Sequence, residues 1–152
     1  MKSIELFVDG ACSGNPGEAG IGVVVIEKGK TIKNISLSIG QATNNIAEYT
    51  ALIFGLQEAL ILKADKVRAN TDSELLYNQI NGSYKIKNPT LKVLVAQVEH
   101  LLKGFKQVEM KRVPREQNRD ADTLATKAIK KEQAKVVAPL FVVGEESPSS
   151  EG

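Results

Sequence analysis

Ile21-Gly22-Val23-Val24-Val25-Ile26-Glu27 and Thr31-Ile32-Lys33-Asn34-Ile35-Ser36-Leu37-Ser38-Ile39 are two β-branched runs parted only by Lys28-Gly29-Lys30. That spacing predicts a tight hairpin between antiparallel strands. Upstream, Ile4-Glu5-Leu6-Phe7-Val8 is a third apolar run, and residues 10–20 between them are dense in Gly, Ser, Asn and Pro, which reads as a loop. Three sequential strands therefore run antiparallel. From residue 45 to 62 the period changes, because Leu52, Leu56, Ala59, Leu60 and Lys63 recur at three- and four-residue spacing, the mark of a long helix. Downstream the pattern predicts a strand over 67–71, a helix over 73–80, a helix from Pro89 or Thr90 to 102, a strand over 107–112 and a last helix over 118–131. The order βββαβααβα implies an α/β fold. Its five-stranded mixed sheet has three antiparallel strands, then two helix-separated strands, with helices on its faces.

The 152 residues, 42% hydrophobic and 25% charged, suit one folded domain with its own core. A single cysteine, Cys12, excludes an intrachain disulfide and a cysteine-built zinc site, which fits a reducing, cytoplasmic setting. No apolar stretch approaches 18 residues, and the alternating segment begins directly after Met1-Lys2-Ser3, so neither membrane insertion nor secretion is expected. A monomer is expected. The net charge of +2 is unevenly spread. Residues 1–62 carry 4 basic and 6 acidic side chains, residues 63–131 carry 15 and 8, and residues 132–152 carry 1 and 4. The basic middle block could meet a polyanion such as a nucleic-acid backbone, or could be a solvated helix face. Residues 1–138 are read as the folded domain. Residues 139–152 form an extension that is briefly apolar (Pro139 to Val143) and then acidic and Ser-rich, with its end expected to be disordered.

Four carboxylates stand at strand ends and helix starts. Asp9 ends the first run; an Asp-Gly turn is its local alternative, but the next strand begins about ten residues on, so no two-residue hairpin is made there. Glu48 follows Asn45 by three positions, which allows a capping box. Leu52 and Leu56, four and eight residues later, place Glu48 on the stripe facing the sheet, where an unpartnered carboxylate is costly. Asp72 follows the fourth strand, at the sheet end where α/β folds hold their ligands. Its alternative is helix-start chemistry, although Thr71 and Glu74 can form that capping pair without it. Asp122 lies in the first turn of the last helix beside Ala121, Leu124, Ala125 and Ala128, where an acid also complements the helix dipole, a role Asp120 fills equally. Four acids around one sheet repel one another unless a dication sits among them. Carboxylate ligation favours Mg²⁺ or Mn²⁺ over zinc, and the typical work of such a site is two-ion phosphoryl transfer.

Several pieces arrive in a fixed order across residues 4–130. They are Phe7-Val8-Asp9-Gly10-Ala11-Cys12 with Gly14-Asn15-Pro16-Gly17; Thr43-Asn44-Asn45-Ile46-Ala47-Glu48; Asn70-Thr71-Asp72-Ser73; and Val113-Pro114-Arg115-Glu116-Gln117-Asn118 with Ala121-Asp122-Thr123-Leu124-Ala125. As a set they closely resemble a type 1 ribonuclease H. The resemblance implies the ribonuclease H-like fold, with Asp9, Glu48, Asp72 and Asp122 as catalytic metal ligands. The implied cofactor is Mg²⁺, with Mn²⁺ as an alternative and two ions in the substrate complex. The implied activity is endonucleolytic hydrolysis of the RNA strand of RNA–DNA hybrids. It further implies that Asn15, Asn44, Asn45 and Glu74 touch the hybrid in its minor groove and that Thr43 and Asn88 hold a DNA phosphate. Asparagine amides suit that task, because they reach ribose 2′-hydroxyls and base edges in a wide minor groove.

Two departures from the family stand out. Many relatives carry a His in the loop before the last acid, whereas residues 112–118 here contain none; Arg115 or Glu116 is the candidate replacement, with Arg115 placed among the substrate-binding residues. The sole His, His100, reads as a surface or packing residue of its helix. The basic protrusion of some relatives shrinks to Asn81-Gly82-Ser83-Tyr84-Lys85-Ile86-Lys87-Asn88, leaving Lys85, Lys87 and Lys92 to supply part of its charge. Two alternatives follow: a same-fold nuclease with relaxed substrate choice, double-stranded RNA included, and a non-catalytic nucleic-acid-binding module. Retention of all four acids argues against the second.

Overall fold

Alternation along the first strand sets the two faces of the sheet. In β1 (Ser3–Cys12), Ile4, Leu6 and Val8 are buried together with Ile21, Val23 and Val25 of β2 (Gly17–Glu27). On this face they meet Leu52, Leu56 and Ala59 of α1 (Asn44–Ile61) and Leu91, Val95 and Val98 of α3 (Pro89–Leu102). The computed structural model describes residues 1–134. Its remaining elements are β3 (Lys30–Ala42), β4 (Lys66–Thr71), α2 (Glu74–Ile80), β5 (Gln107–Arg112), a 3₁₀ turn (Arg115–Asn118) and α4 (Arg119–Ala134). The sheet order is β3-β2-β1-β4-β5, with β1, β2 and β3 antiparallel and β1, β4 and β5 parallel. This is the expected mixed sheet. The extension from residue 139 lies outside the described residues. No helix of the described residues is long and apolar enough to cross a membrane.

The expected loop over 10–20 contracts to residues 13–16, because β1 and β2 stay paired out to Cys12↔Ala19. Gly10 and Gly20 of that expected loop, and Gly22 of the predicted strand, instead meet helix backbone. A Cβ on Gly22 would lie 2.0 Å from the Ala121 carbonyl oxygen, and one on Gly20 would lie 2.4 Å from that of Ala125, so α4 seats its backbone directly on β2. A Cβ on Gly10 would lie 2.4 Å from the Ala47 carbonyl carbon and 2.5 Å from the Glu48 nitrogen, so α1 rests on β1 in the same way from the other face. The hairpin turn is shorter than predicted. It consists of Lys28 and Gly29, both at positive φ (54° and 78°), as a twist-compatible two-residue turn requires.

Helix caps also differ from expectation. Thr43, not Asn45, caps α1, its hydroxyl accepting from the Ile46 N–H, so a box between Asn45 and Glu48 is not formed. Ser73, not Thr71, caps α2, accepting from the Leu76 N–H at 3.1 Å, while the Thr71 hydroxyl accepts from the Ser73 N–H at 3.0 Å. Lys63, placed on the helical stripe by periodicity, lies beyond the α1 cap at φ 63°. A buried hydrogen bond of 2.6 Å from the Tyr49 hydroxyl to Gln79 Oε1 ties α1 to α2, and burial pushes the Tyr49 phenol up to about 12.

Gly22→Ala is expected to lower stability by about 2 kcal/mol or more, since the clash is with backbone that cannot rotate away. Thermal unfolding checks this, with Gly29→Ala as the comparison, where the added methyl meets no atom within 4 Å and only backbone strain of about 1 kcal/mol is expected.

Candidate active site

The four acids named from sequence come from four different elements and meet at one end of the sheet. Asp9 sits near the carboxyl end of β1 and Asp72 directly follows β4, the adjacent parallel strand. Glu48 projects from the first turns of α1, held there by the Gly10 contact, and Asp122 from the first turn of α4, held by the Gly22 contact. Asp9, Glu48 and Asp72 each present a carboxylate oxygen, and these three atoms lie within 4.8 Å of one another. Asp122 stands outside that trio but near enough to Asp9 to help raise its carboxyl.

Electrostatics at this site are unbalanced. Among the described residues, no lysine or arginine forms an ion pair with any of the four acids. Asp9 is only 8% exposed. Its burial, followed by the charges of Asp72 and Glu48 and by Asp122, pushes its carboxyl up to about 8. Burial raises Glu48 to about 7, with Asp72 adding to the rise and a hydrogen bond from Ser73 opposing it. Cys12 nearby donates its thiol to the Ala42 carbonyl at 3.3 Å, and burial, then the Glu48 charge, push that thiol up, keeping it protonated. Oxygen donors that crowd this closely without a counter-charge fit a hard divalent cation.

The other sequence-predicted residues fall into three groups. Asn15, Thr43, Asn45 and Asn88 line one cleft of about 270 Å³ with Ile46, Thr90 and Leu91, and the Asn15 side-chain carbonyl accepts from the Asn44 N–H at 3.0 Å. Asn88 also caps α3, accepting from the N–H groups of Thr90 and Leu91. Arg115 lines a shallow cleft with Glu116, Arg119, Thr123 and Asp122, beside the acids. Glu74 is exposed at the start of α2 and faces Arg112 at 3.8 Å. His100 is exposed in the last turn of α3. The cavity at the opposite end of the sheet, about 390 Å³ and lined by Glu5, Arg68 and Glu109, has its central guanidinium already paired, at 3.8 Å to Glu5 and 3.0 Å to Glu109.

Sequence reasoning passed over Asn118 as a functional residue, treating it as the start of the last helix. It is 1% exposed, and its Nδ2 donates to the Val8 carbonyl at 2.9 Å and to Asp72 Oδ2 at 3.4 Å. The signal available in sequence was its place in the segment before Asp122.

Carboxylates gathered at the carboxyl ends of parallel strands in this sheet order define an acidic-site α/β domain of the ribonuclease H-like class. A family model described as reverse transcriptase-like matches residues 7–128. Ribonuclease H1 from the archaeon Halobacterium salinarum superposes with a TM-score of 0.83 at 35% identity, covering 85% of this chain and 98% of that one. LC11-RNase H1 in complex with an RNA/DNA hybrid superposes at 0.81 with 40% identity, covering 86% and 99%. A bifunctional protein of Mycobacterium tuberculosis is 38% identical over all of this chain, which spans only 43% of that relative's length. The chain belongs to the reverse transcriptase-like family, with the fold of ribonuclease H.

In the metal-free protein, carboxyls raised to about 8 and about 7 hold protons that the unfolded chain releases near pH 4. Folded stability therefore falls as pH rises from about 4 to about 8. Asp9→Asn is expected to remove most of that loss, stabilising the protein by a few kcal/mol at pH 8 in EDTA and by little at pH 4. Thermal melts at the two pH values check it; a variant less stable than wild type at pH 8 would show that the acids do not repel.

Proposed function

We propose that this domain is a divalent-cation-dependent endoribonuclease that hydrolyses the RNA strand of RNA–DNA hybrids. The observation that carries the reading is the trio of carboxylate oxygens of Asp9, Glu48 and Asp72 within 4.8 Å, with no basic partner among the described residues. Asp9, Glu48, Asp72 and Asp122 would hold Mg²⁺, or Mn²⁺ in its place, with two ions in the substrate complex. When bound, the cations supply electrostatic activation of the attacking water and of the leaving oxygen.

The chain's own residues supply the rest. The Ser73 hydroxyl caps α2 by accepting from the Leu76 N–H and lies near enough to Glu48 to oppose the rise of its carboxyl. The cleft of Asn15, Thr43, Asn45 and Asn88 offers amides and a hydroxyl sized for a sugar-phosphate backbone. Asn44, exposed beside it, and Glu74 reach the minor groove of the bound hybrid. Arg115, next to Asp122, meets the phosphate charge at the cleavage site. The hybrid bound to LC11-RNase H1 supports this choice of substrate. The domain is read as acting as a cytoplasmic monomer.

Labelled duplexes test the assignment. An RNA–DNA hybrid is expected to be cut in Mg²⁺ or Mn²⁺ and spared in EDTA. Asp72→Asn is expected to slow that cleavage by more than about a hundredfold while the protein stays folded. Equal cleavage of double-stranded RNA would move the reading to a relaxed nuclease, and binding without cleavage to a binding module. With no imidazole between residues 112 and 118, the rate is expected to climb toward alkaline pH without a histidine inflection. His100→Ala is expected to leave that profile unchanged, since His100 is exposed on α3.

A further inference from the structure

Two buried asparagines on this sheet repeat one device. Asn70 of β4 donates its Nδ2 to the Leu6 carbonyl at 2.8 Å and to Glu5 Oε2 at 3.0 Å. Asn118, at the end of the 3₁₀ turn, donates its Nδ2 to the Val8 carbonyl at 2.9 Å and to Asp72 Oδ2 at 3.4 Å. Each amide ties a β1 carbonyl to a carboxylate, two residues apart along the strand. The carboxylates differ in what else holds them. Glu5 faces Arg68 at 3.8 Å, whereas no lysine or arginine pairs with Asp72 among the described residues.

The Asn118 amide has only one workable orientation. Flipped, its oxygen would face the Val8 carbonyl and the Asp72 carboxylate, two acceptors with nothing to give it. In the orientation observed, Oδ1 is buried and has no hydrogen-bond partner, the one such side-chain atom among the described residues. Both recorded side-chain bonds of Asn118 are therefore made by Nδ2, one to the strand and one to the acid. A residue needed only to anchor the 3₁₀ turn would be served by the 2.9 Å bond to Val8 alone.

We propose that Asn118 is a positioning residue that holds the Asp72 carboxylate, through Nδ2 and the end of β1, in the orientation that receives the divalent cation. This rests on the proposed metal-dependent reading of the acid cluster. Carboxylates that ligate metals are oriented by hydrogen bonds from neighbours, and losing such a neighbour typically costs about 10–100-fold in metal affinity.

The test is Mn²⁺ binding to the intact protein by calorimetry, without substrate. Asn118→Ala is expected to weaken Mn²⁺ binding by about tenfold or more. In an Asp72→Asn background the same substitution is expected to add little, since the group it acts through is already lost. In hybrid cleavage kcat is expected to fall with KM unchanged. Mn²⁺ affinity within about threefold of wild type in folded Asn118→Ala, or an equal loss in both backgrounds, would overturn the proposal. Should Asn118→Ala not fold, side-chain amide NMR of the wild type decides. Titration with Mg²⁺ is expected to shift the Nδ2 resonance of Asn118 and leave that of Asn70 in place; equal shifts, or none at Asn118 while metal binds, would overturn it. Failure of the wild type to bind Mn²⁺ at all would instead remove the metal-dependent reading itself.

Discussion

Three missing side chains govern how closely the helices approach the central strands. At Gly10 the backbone of α1 presses on β1 from one face, and at Gly20 and Gly22 the backbone of α4 presses on β2 from the other. These contacts fix the acids as well as the packing. The nitrogen of Glu48 itself lies at the Gly10 contact, and Ala121, whose carbonyl meets Gly22, directly precedes Asp122. Asp9 is chain neighbour to Gly10 and register partner of Gly22, so it sits where the two approaches converge. Asp72 arrives independently, from the end of β4 paired in parallel to β1. A close-packed interior transmits such constraints with little slack, and a methyl group at either contact would displace an acid by an amount that chemistry can feel.

The same convergence creates strain in charge. Burial and mutual repulsion raise Asp9 and Glu48 far above ordinary carboxylates, and no basic side chain among the described residues pairs with them. The large apolar core beneath, running from Ile4 and Leu6 through Leu52 and Leu56 to Val98, can carry this local cost. Elsewhere on the sheet, charges are matched in register, with Glu5, Arg68 and Glu109 side by side across β1, β4 and β5. Among the described residues, charges are paired at one end of the sheet and four acids stand unpaired at the other, which concentrates the electrostatic imbalance where a cation would be used.

Much of this was legible in the sequence. The β-branched runs of β2 and β3 and the switch to helical spacing at α1 gave the sheet and its mixed topology, because both signals come from periodicity. The four acids were legible because each stood where a strand ends or a helix starts. Local chemistry was harder. Gly20 resembles a loop residue in sequence, yet it is a strand residue on which α4 lies. Asn45 and Thr71 are good caps by type, yet Thr43 and Ser73 cap, since cap choice depends on where backbone dihedrals turn helical. Asn118 was invisible as a site residue because its role depends on a carbonyl 110 positions away in the chain.

Asp9, Glu48 and Asp72 are proposed to form a divalent-cation site. Anomalous diffraction at the manganese edge, from crystals grown with Mn²⁺ and a hybrid whose scissile linkage resists hydrolysis, tests it most directly. A strong anomalous peak is expected, bounded by the carboxylates of Asp9, Glu48 and Asp72, with Asp122 and the hybrid's phosphate beside it. A fully bound hybrid with no manganese at these carboxylates, or with manganese bound only elsewhere, would contradict it.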